Sequence, residues 1–143
     1  MSREYDVLNT RARRLDAPAK AVGRAVYTDD LALPGQLYGA ILQSPLAHAR
    51  ILKLDVSRAK RLAGVKAVIT AKDVGLTKYG VSPARYDETL FAHEKVRYVG
   101  DEVAAVAAMD LETAQEALSL IKVEYEELPA VFDPFEALAD GAP

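Results

Sequence analysis

The stretch "KVRYVGDEVAAVAA", residues 95–108, holds two short apolar runs separated by Gly100, Asp101 and Glu102. Such an insert reads as a turn, as a bulge, or as two acids placed for chemistry. Successive side chains on an extended strand point to opposite faces. On that spacing Asp101 and Glu102 do not converge on one proton or metal, as paired-carboxylate catalysis requires. The structural reading is therefore favoured: Gly100 supplies an unusual backbone angle and Asp101 bonds nearby amides. One strand ends before the insert, and a second strand of valine and alanine begins after it, with side chains small enough for close packing at Ala104, Ala105, Ala107 and Ala108.

Working outward, the downstream segment predicts a helix from about Asp110 to Ile121. Leu111, Ala114, Ala117, Leu118 and Ile121 recur at helical spacing, and Asp110 is placed to cap it. "KVEYEELP" then alternates Val123 and Tyr125 with Glu124 and Glu126, a strand with one wet face. Upstream, "GQLYGAILQS" (35–44) predicts a strand in which Gly39 allows a bend or close approach. "HARILKLDVS" alternates, with Ile51, Lys53 and Asp55 opposite Leu52, Leu54 and Val56. Ser57 is placed to cap a short helix, "RAKRLAG", ended by Gly64; "VKAVITA" follows as a buried strand. Strand–helix–strand thus occurs twice, at 50–71 and 103–127, each time with an aspartate (Asp55, Asp110) at the junction. The pattern predicts an α+β domain: mixed β-sheet elements with two short helices covering one side.

The composition excludes several functions. With 143 residues, half of them apolar, the chain is long enough for one core. Its 18 basic and 21 acidic residues give a net charge of -3, which argues against nucleic-acid backbone binding. It has no cysteine and two histidines, so neither a thiolate-held cluster nor a multi-histidine metal site can be built from this chain. No stretch has the length of a membrane span or a signal peptide, and the expected location is cytoplasmic.

Among single residues, His48 in "SPLAHARI" is a candidate base or ligand, but no second histidine accompanies it. A hydrogen-bonded structural role or an interface contact is favoured. His93 is expected to be exposed and is given no role. The basic run "RARR" (11–14) reads as a solvated arm or a subunit contact, and Glu124, Glu126 and Glu127 as a solvent face. Residues 72–92, with Gly75, Gly80 and Pro83 and no periodicity, form one long loop, a frequent location of function.

Five blocks together resemble one family: "DAPAKAVGRAVYTDD" (16–30), "LYGAILQSPLAHARI" (37–51), "LAGVKAVITAKDV" (62–74), "DETLFAHEKVRYVGDEVAAVAA" (87–108) and "AQEALSLIKVEYEELPAVFDPFEAL" (114–138). In order and spacing they are similar to the N-terminal α/β hammerhead domain of the molybdenum hydroxylase large subunit, the xanthine dehydrogenase and aldehyde oxidase family. The resemblance implies an N-terminal arm at 1–14 and a hammerhead domain at 15–143. It implies a part of a molybdopterin-dependent oxidoreductase whose complete form carries molybdopterin-bound molybdenum, two [2Fe–2S] clusters and FAD on other domains or subunits. The molybdenum ligands and the base glutamate of the family lie C-terminal to this domain, so no catalytic, cofactor-binding or metal residue is expected here. The implied partners are the molybdenum-binding domain or subunit and the iron–sulfur and flavin parts, with self-association of an isolated domain through an exposed apolar face. The chain reads either as an excised domain or as a split subunit.

In larger relatives the segment before the D-E-T-x-F block borders the funnel to the molybdenum. By position, this carries over to Ala84, Arg85 and Tyr86 as substrate-channel residues. Arg85 departs from the apolar pair of some relatives and would favour an anionic substrate; a surface arginine is the alternative. Purines, aldehydes, heteroaromatic acids and an aromatic acyl thioester all remain open as substrates. A second reading is an independent binding or carrier module with a hammerhead-like fold. A carrier needs a lysine at a hairpin tip, whereas Lys66, Lys95 and Lys122 fall within or beside predicted strands.

Overall fold

The computed structural model describes residues 13–81 and 86–142. The chain divides into two compact units, Met1–Pro34 and Gly35–Pro143. In the first, Pro18 lies in the first turn of a five-residue helix, α1 (Ala17–Ala21), where its missing N–H costs nothing. Asp16 accepts from Arg14 at 3.1 and 3.0 Å and pairs with Lys20 at 2.5 Å. This stretch thus carries one helical turn.

In the second unit the order is β1 (Tyr38–Gln43), β2 (Ala49–Asp55), α2 (Ser57–Arg61), β3 (Val65–Thr70), α3 (Ala71–Val74), β4 (Lys78–Tyr79), β5 (Glu88–Thr89), β6 (Lys95–Val96), β7 (Glu102–Ala108), α4 (Leu111–Ser119) and β8 (Lys122–Glu127). One antiparallel sheet runs β1-β7-β3, a second runs β6-β2-β8, and β4 and β5 form a small ribbon. The α+β expectation holds, and its two repeated units acquire a spatial meaning. Each helix carries the chain between sheets: α2 leads from β2 to β3, and α4 leads back from β7 to β8. The units therefore interlock, β2 pairing with β8 and β3 with β7.

Helices α2 and α4 cover one face of the first sheet. Their Ala59 and Ala117, both fully buried, meet Val68, Ala104 and Val106 of β3 and β7. Alanines on both partners bring helix and sheet close, as the small residues of β7 predicted. Burying a side chain such as Val106 contributes about 1.5–3 kcal/mol. Asp110 caps α4 as expected, accepting from the Thr113 amide at 2.7 Å. A second cluster, Ala49, Ala92, Val96 and Val103, binds the second sheet to the chain entering β7.

The opposite face of the first sheet is open. Ile41, Ala105 and Ile69 lie in one register row across β1, β7 and β3, with Ile41 54% and Ile69 38% exposed. β3, expected to be buried, is thus a half-open edge strand whose inward residues are Val68 and Thr70. Three other local expectations are corrected. The alternation read through β2 fails because a bulge falls between Ile51 and Lys53, leaving Leu52 exposed while Ile51 and Leu54 pack inward. Ser57 is the first residue of α2 rather than its cap, and its amide donates to Asp55 Oδ1 at 2.9 Å. A Cβ on Gly39 would meet nothing within 4 Å, so a close backbone approach is not its reason.

Candidate functional site

The Gly-Asp-Glu insert is the point at which the chain leaves the second sheet and enters the first. Gly100 adopts φ +98°, a region that glycine occupies without steric cost. Its amide donates to the Ser44 carbonyl at 2.8 Å, and the Ser44 amide donates to the Asp101 carbonyl at 2.8 Å. The Asp101 side chain closes the turn, accepting from the Arg97 amide at 2.8 Å. A bulge between Leu42 and Gln43 of β1 sits opposite. Turn and bulge are therefore both present, and Asp101 does bond a nearby amide.

The alternation argument does not hold for the acids themselves. Asp101 precedes the first residue of β7 and follows a positive-φ glycine, so the strand rule does not apply there. Asp101 and Glu102 line the same cleft, of about 230 Å³, together with Tyr79, Asp87, Glu88 and Tyr98. Tyr98 Oη donates to Glu102 Oε2 at 3.3 Å. Burial, followed by the neighbouring Asp101 and Glu102, pushes the Tyr98 phenol up. Burial is also the main cause that raises the Asp101 carboxyl above the usual range; the Arg97 amide opposes it, and Glu102 adds to the rise.

A raised folded pKa means that the folded chain keeps this proton to higher pH than the unfolded chain does. Asp101 thus favours folding most below its unfolded pKa, and its contribution falls as pH rises through the folded value. Asp101→Asn retains an acceptor for the Arg97 amide without an ionisable group. Its stability relative to the wild type should grow between about pH 3 and pH 7. Asp101→Ala, which leaves the amide unpaired, should lose about 1–3 kcal/mol. Thermal unfolding of the three proteins across that range tests both, and an Asn difference independent of pH would contradict the assignment.

The segment predicted as one long loop, 72–92, contains regular structure. It holds α3, capped by Thr70 and Asp73, and the β4–β5 ribbon, in which Tyr79 pairs with Glu88. Of the channel residues expected from the resemblance, Tyr86 is exposed, while Ala84 and Arg85 lie outside the described residues. His48 is hydrogen-bonded on both ring nitrogens, Nδ1 to the Pro129 carbonyl at 2.6 Å and Nε2 to Lys95 Nζ at 3.1 Å. His93 is exposed. Among the described residues, no three histidine or acidic side chains gather where they could hold a metal ion.

Over residues 22–129 the chain matches the family model of the aldehyde oxidase and xanthine dehydrogenase a/b hammerhead domain. The chain belongs to this family. It is 39% identical over 138 residues to the "Carbon monoxide dehydrogenase large chain" of Afipia carboxidovorans, covering 95% of this chain and 17% of that protein. It is 36% identical over 144 residues to the "Nicotinate dehydrogenase large molybdopterin subunit" of Eubacterium barkeri, covering 100% of this chain and 33% of that one. The aldehyde oxidoreductase structure from Desulfovibrio gigas superposes with a TM-score of 0.82 at 34% identity, over 91% of this chain and 16% of its own. The hammerhead domain thus spans a third or less of the relatives it matches, and the interlocked pair of sheets described above is a fold it shares with them.

Proposed function

We propose that this hammerhead domain acts within a molybdopterin-dependent oxidoreductase, as an N-terminal domain or a split subunit that supports the molybdenum part and lines the substrate funnel. The observation that carries this reading is the open register row of Ile41, Ala105 and Ile69 on a sheet whose other face packs beneath α2 and α4. An apolar sheet face of this kind marks a protein contact. On this reading the molybdenum domain covers that face, and the iron–sulfur and flavin parts complete the electron path. In isolation the same face promotes self-association. The proposed location of the complete enzyme is the cytoplasm. Among the described residues no helix is long and apolar enough to cross a membrane. The carrier reading has no comparable support, since Lys66 and Lys122 lie in strands β3 and β8 and Lys95 donates to His48.

Ala84, Arg85 and Tyr86 are the proposed funnel residues, with Arg85 recognising an anionic substrate by its planar pair of donors. In the complete enzyme, Arg85→Ala should raise KM for an anionic substrate about tenfold, the loss of one charge-assisted contact, with kcat little changed. An unchanged KM would refute the role of Arg85.

A further inference from the structure

Ala47 and His48 just before β2, Lys95 of β6 with the turn that follows it, and the segment 129–137 line a cleft of about 570 Å³. No role in the funnel loop or the acidic cleft uses it. His48 organises it. The Pro129 carbonyl can only accept, so the imidazole carries its proton on Nδ1 and presents Nε2 as a bare acceptor. Lys95 Nζ, 3.1 Å away, donates to that nitrogen. An ammonium has three donors, so the bond to His48 fixes the lysine in place and leaves two N–H groups to serve the cleft. Arg97 lines the same cleft, and its Nη1 donates to the Lys95 carbonyl at 3.3 Å. Among the described residues, neither cation forms an ion pair with a carboxylate. Arg97 also lines the acidic cleft, where its amide donates to Asp101 and its charge works against the rise of the Asp101 carboxyl.

The remaining wall is apolar: Val99, Val131 and Phe132 line it, with Val99 65% and Phe132 83% exposed. Two fixed cations beside an aromatic wall suit a ligand with both characters. A cleft of this volume lies within the range that holds a small organic molecule. We propose that this cleft binds a carboxylate joined to an apolar body, the carboxylate on Lys95 and Arg97 and the body against Phe132 and Val99. Both ring nitrogens of His48 are already engaged, so the imidazole offers the ligand no donor of its own. A free aromatic acid and a glutamate flanked by apolar residues on another protein segment share this chemistry.

The test is a titration of the full chain, followed by the NMR signals of the His48 ring, Lys95 Nζ and Arg97 Nε. The probes are benzoate, acetate, benzyl alcohol, inorganic phosphate, and the peptides acetyl-Phe-Glu-Phe-amide and acetyl-Phe-Gln-Phe-amide. Saturable shifts are expected with benzoate or the glutamate peptide. Binding should be about tenfold weaker for acetate, for benzyl alcohol and for the glutamine peptide, each of which lacks one half of the ligand. Arg97→Gln, at an exposed position that does not threaten folding, should weaken benzoate binding by a similar factor, and Lys95→Gln should do so where it folds. Tighter binding of the peptide than of benzoate assigns the cleft to a protein segment; the reverse assigns it to a free acid. The proposal is overturned if neither carboxylate saturates, if phosphate or acetate binds as well as benzoate, or if Arg97→Gln binds benzoate unchanged.

Discussion

A carboxylate placed at Val106 is expected to unfold the Gly35–Pro143 unit, whereas the same change at Ile41 should leave it folded. The two residues lie on opposite faces of one sheet. Val106 is 2% exposed, within the cluster beneath α2 and α4, and Val106→Asp would bury a charge with no partner. The cost is at least about 3–5 kcal/mol, comparable with losing one partner of a buried ion pair. A domain of this size is stable by only about 5–15 kcal/mol. Ile41, 54% exposed in the open register row, should change stability by about 0.5 kcal/mol or less when it becomes aspartate. Urea unfolding followed by circular dichroism separates the two, and equal losses would mean that the open face is not open. Ile41→Asp carries a second expected result, because the proposed contact with the rest of the enzyme lies on that face. It should abolish self-association in sedimentation and weaken assembly of the complete enzyme while the domain stays folded. A variant that still assembles normally would move the contact elsewhere.

What the sequence shows of this architecture, and what it hides, follows from the range of the interactions. The 3.6-residue spacing and Asp110 mark α4 to within a residue or two, and the alternation in "KVEYEE" marks β8, because both signals are local. The partition into two sheets is not local: β2 finds β8 some seventy residues away, and nothing in either strand names its partner. The bulge at Leu52 is silent for a similar reason, since an extra residue in one strand exists only relative to its neighbour. At the insert, the glycine correctly signals a turn. The same glycine also invalidates the alternation used to separate Asp101 from Glu102, and both acids line one cleft. The Lys95–His48 cleft has only a faint trace in sequence, two cations spaced by one residue in "KVR". Its apolar wall arrives from residues 129–137, and the bond that fixes the His48 tautomer comes from Pro129.

Gly64 decides how α2 hands the chain to β3, and its replacement should cost nearly as much as a core defect. Its φ of +93° lies where side-chain-bearing residues are strained. Such strain costs about 1–3 kcal/mol. Space is also short: a Cβ there would lie 3.1 Å from Thr113 Cγ2 on α4. Thr113 has little freedom to retreat, because its amide is held by the Asp110 cap at 2.7 Å, and the Gly64 carbonyl is itself fixed by the Met109 amide at 3.0 Å. Gly64→Ala should therefore lose about 2–4 kcal/mol, backbone strain and steric contact together. The two causes can be separated, since Thr113→Ser removes the Cγ2 methyl and keeps the hydroxyl. Added to Gly64→Ala it should restore about 1 kcal/mol, a coupling within the usual range for contacting residues, and leave the strain untouched. Full recovery in the double variant would show that crowding alone selects glycine here. No recovery would show that the backbone angle alone does so. A neutral Gly64→Ala would overturn the account, because the turn must then relax to a negative φ without disturbing the α4 cap.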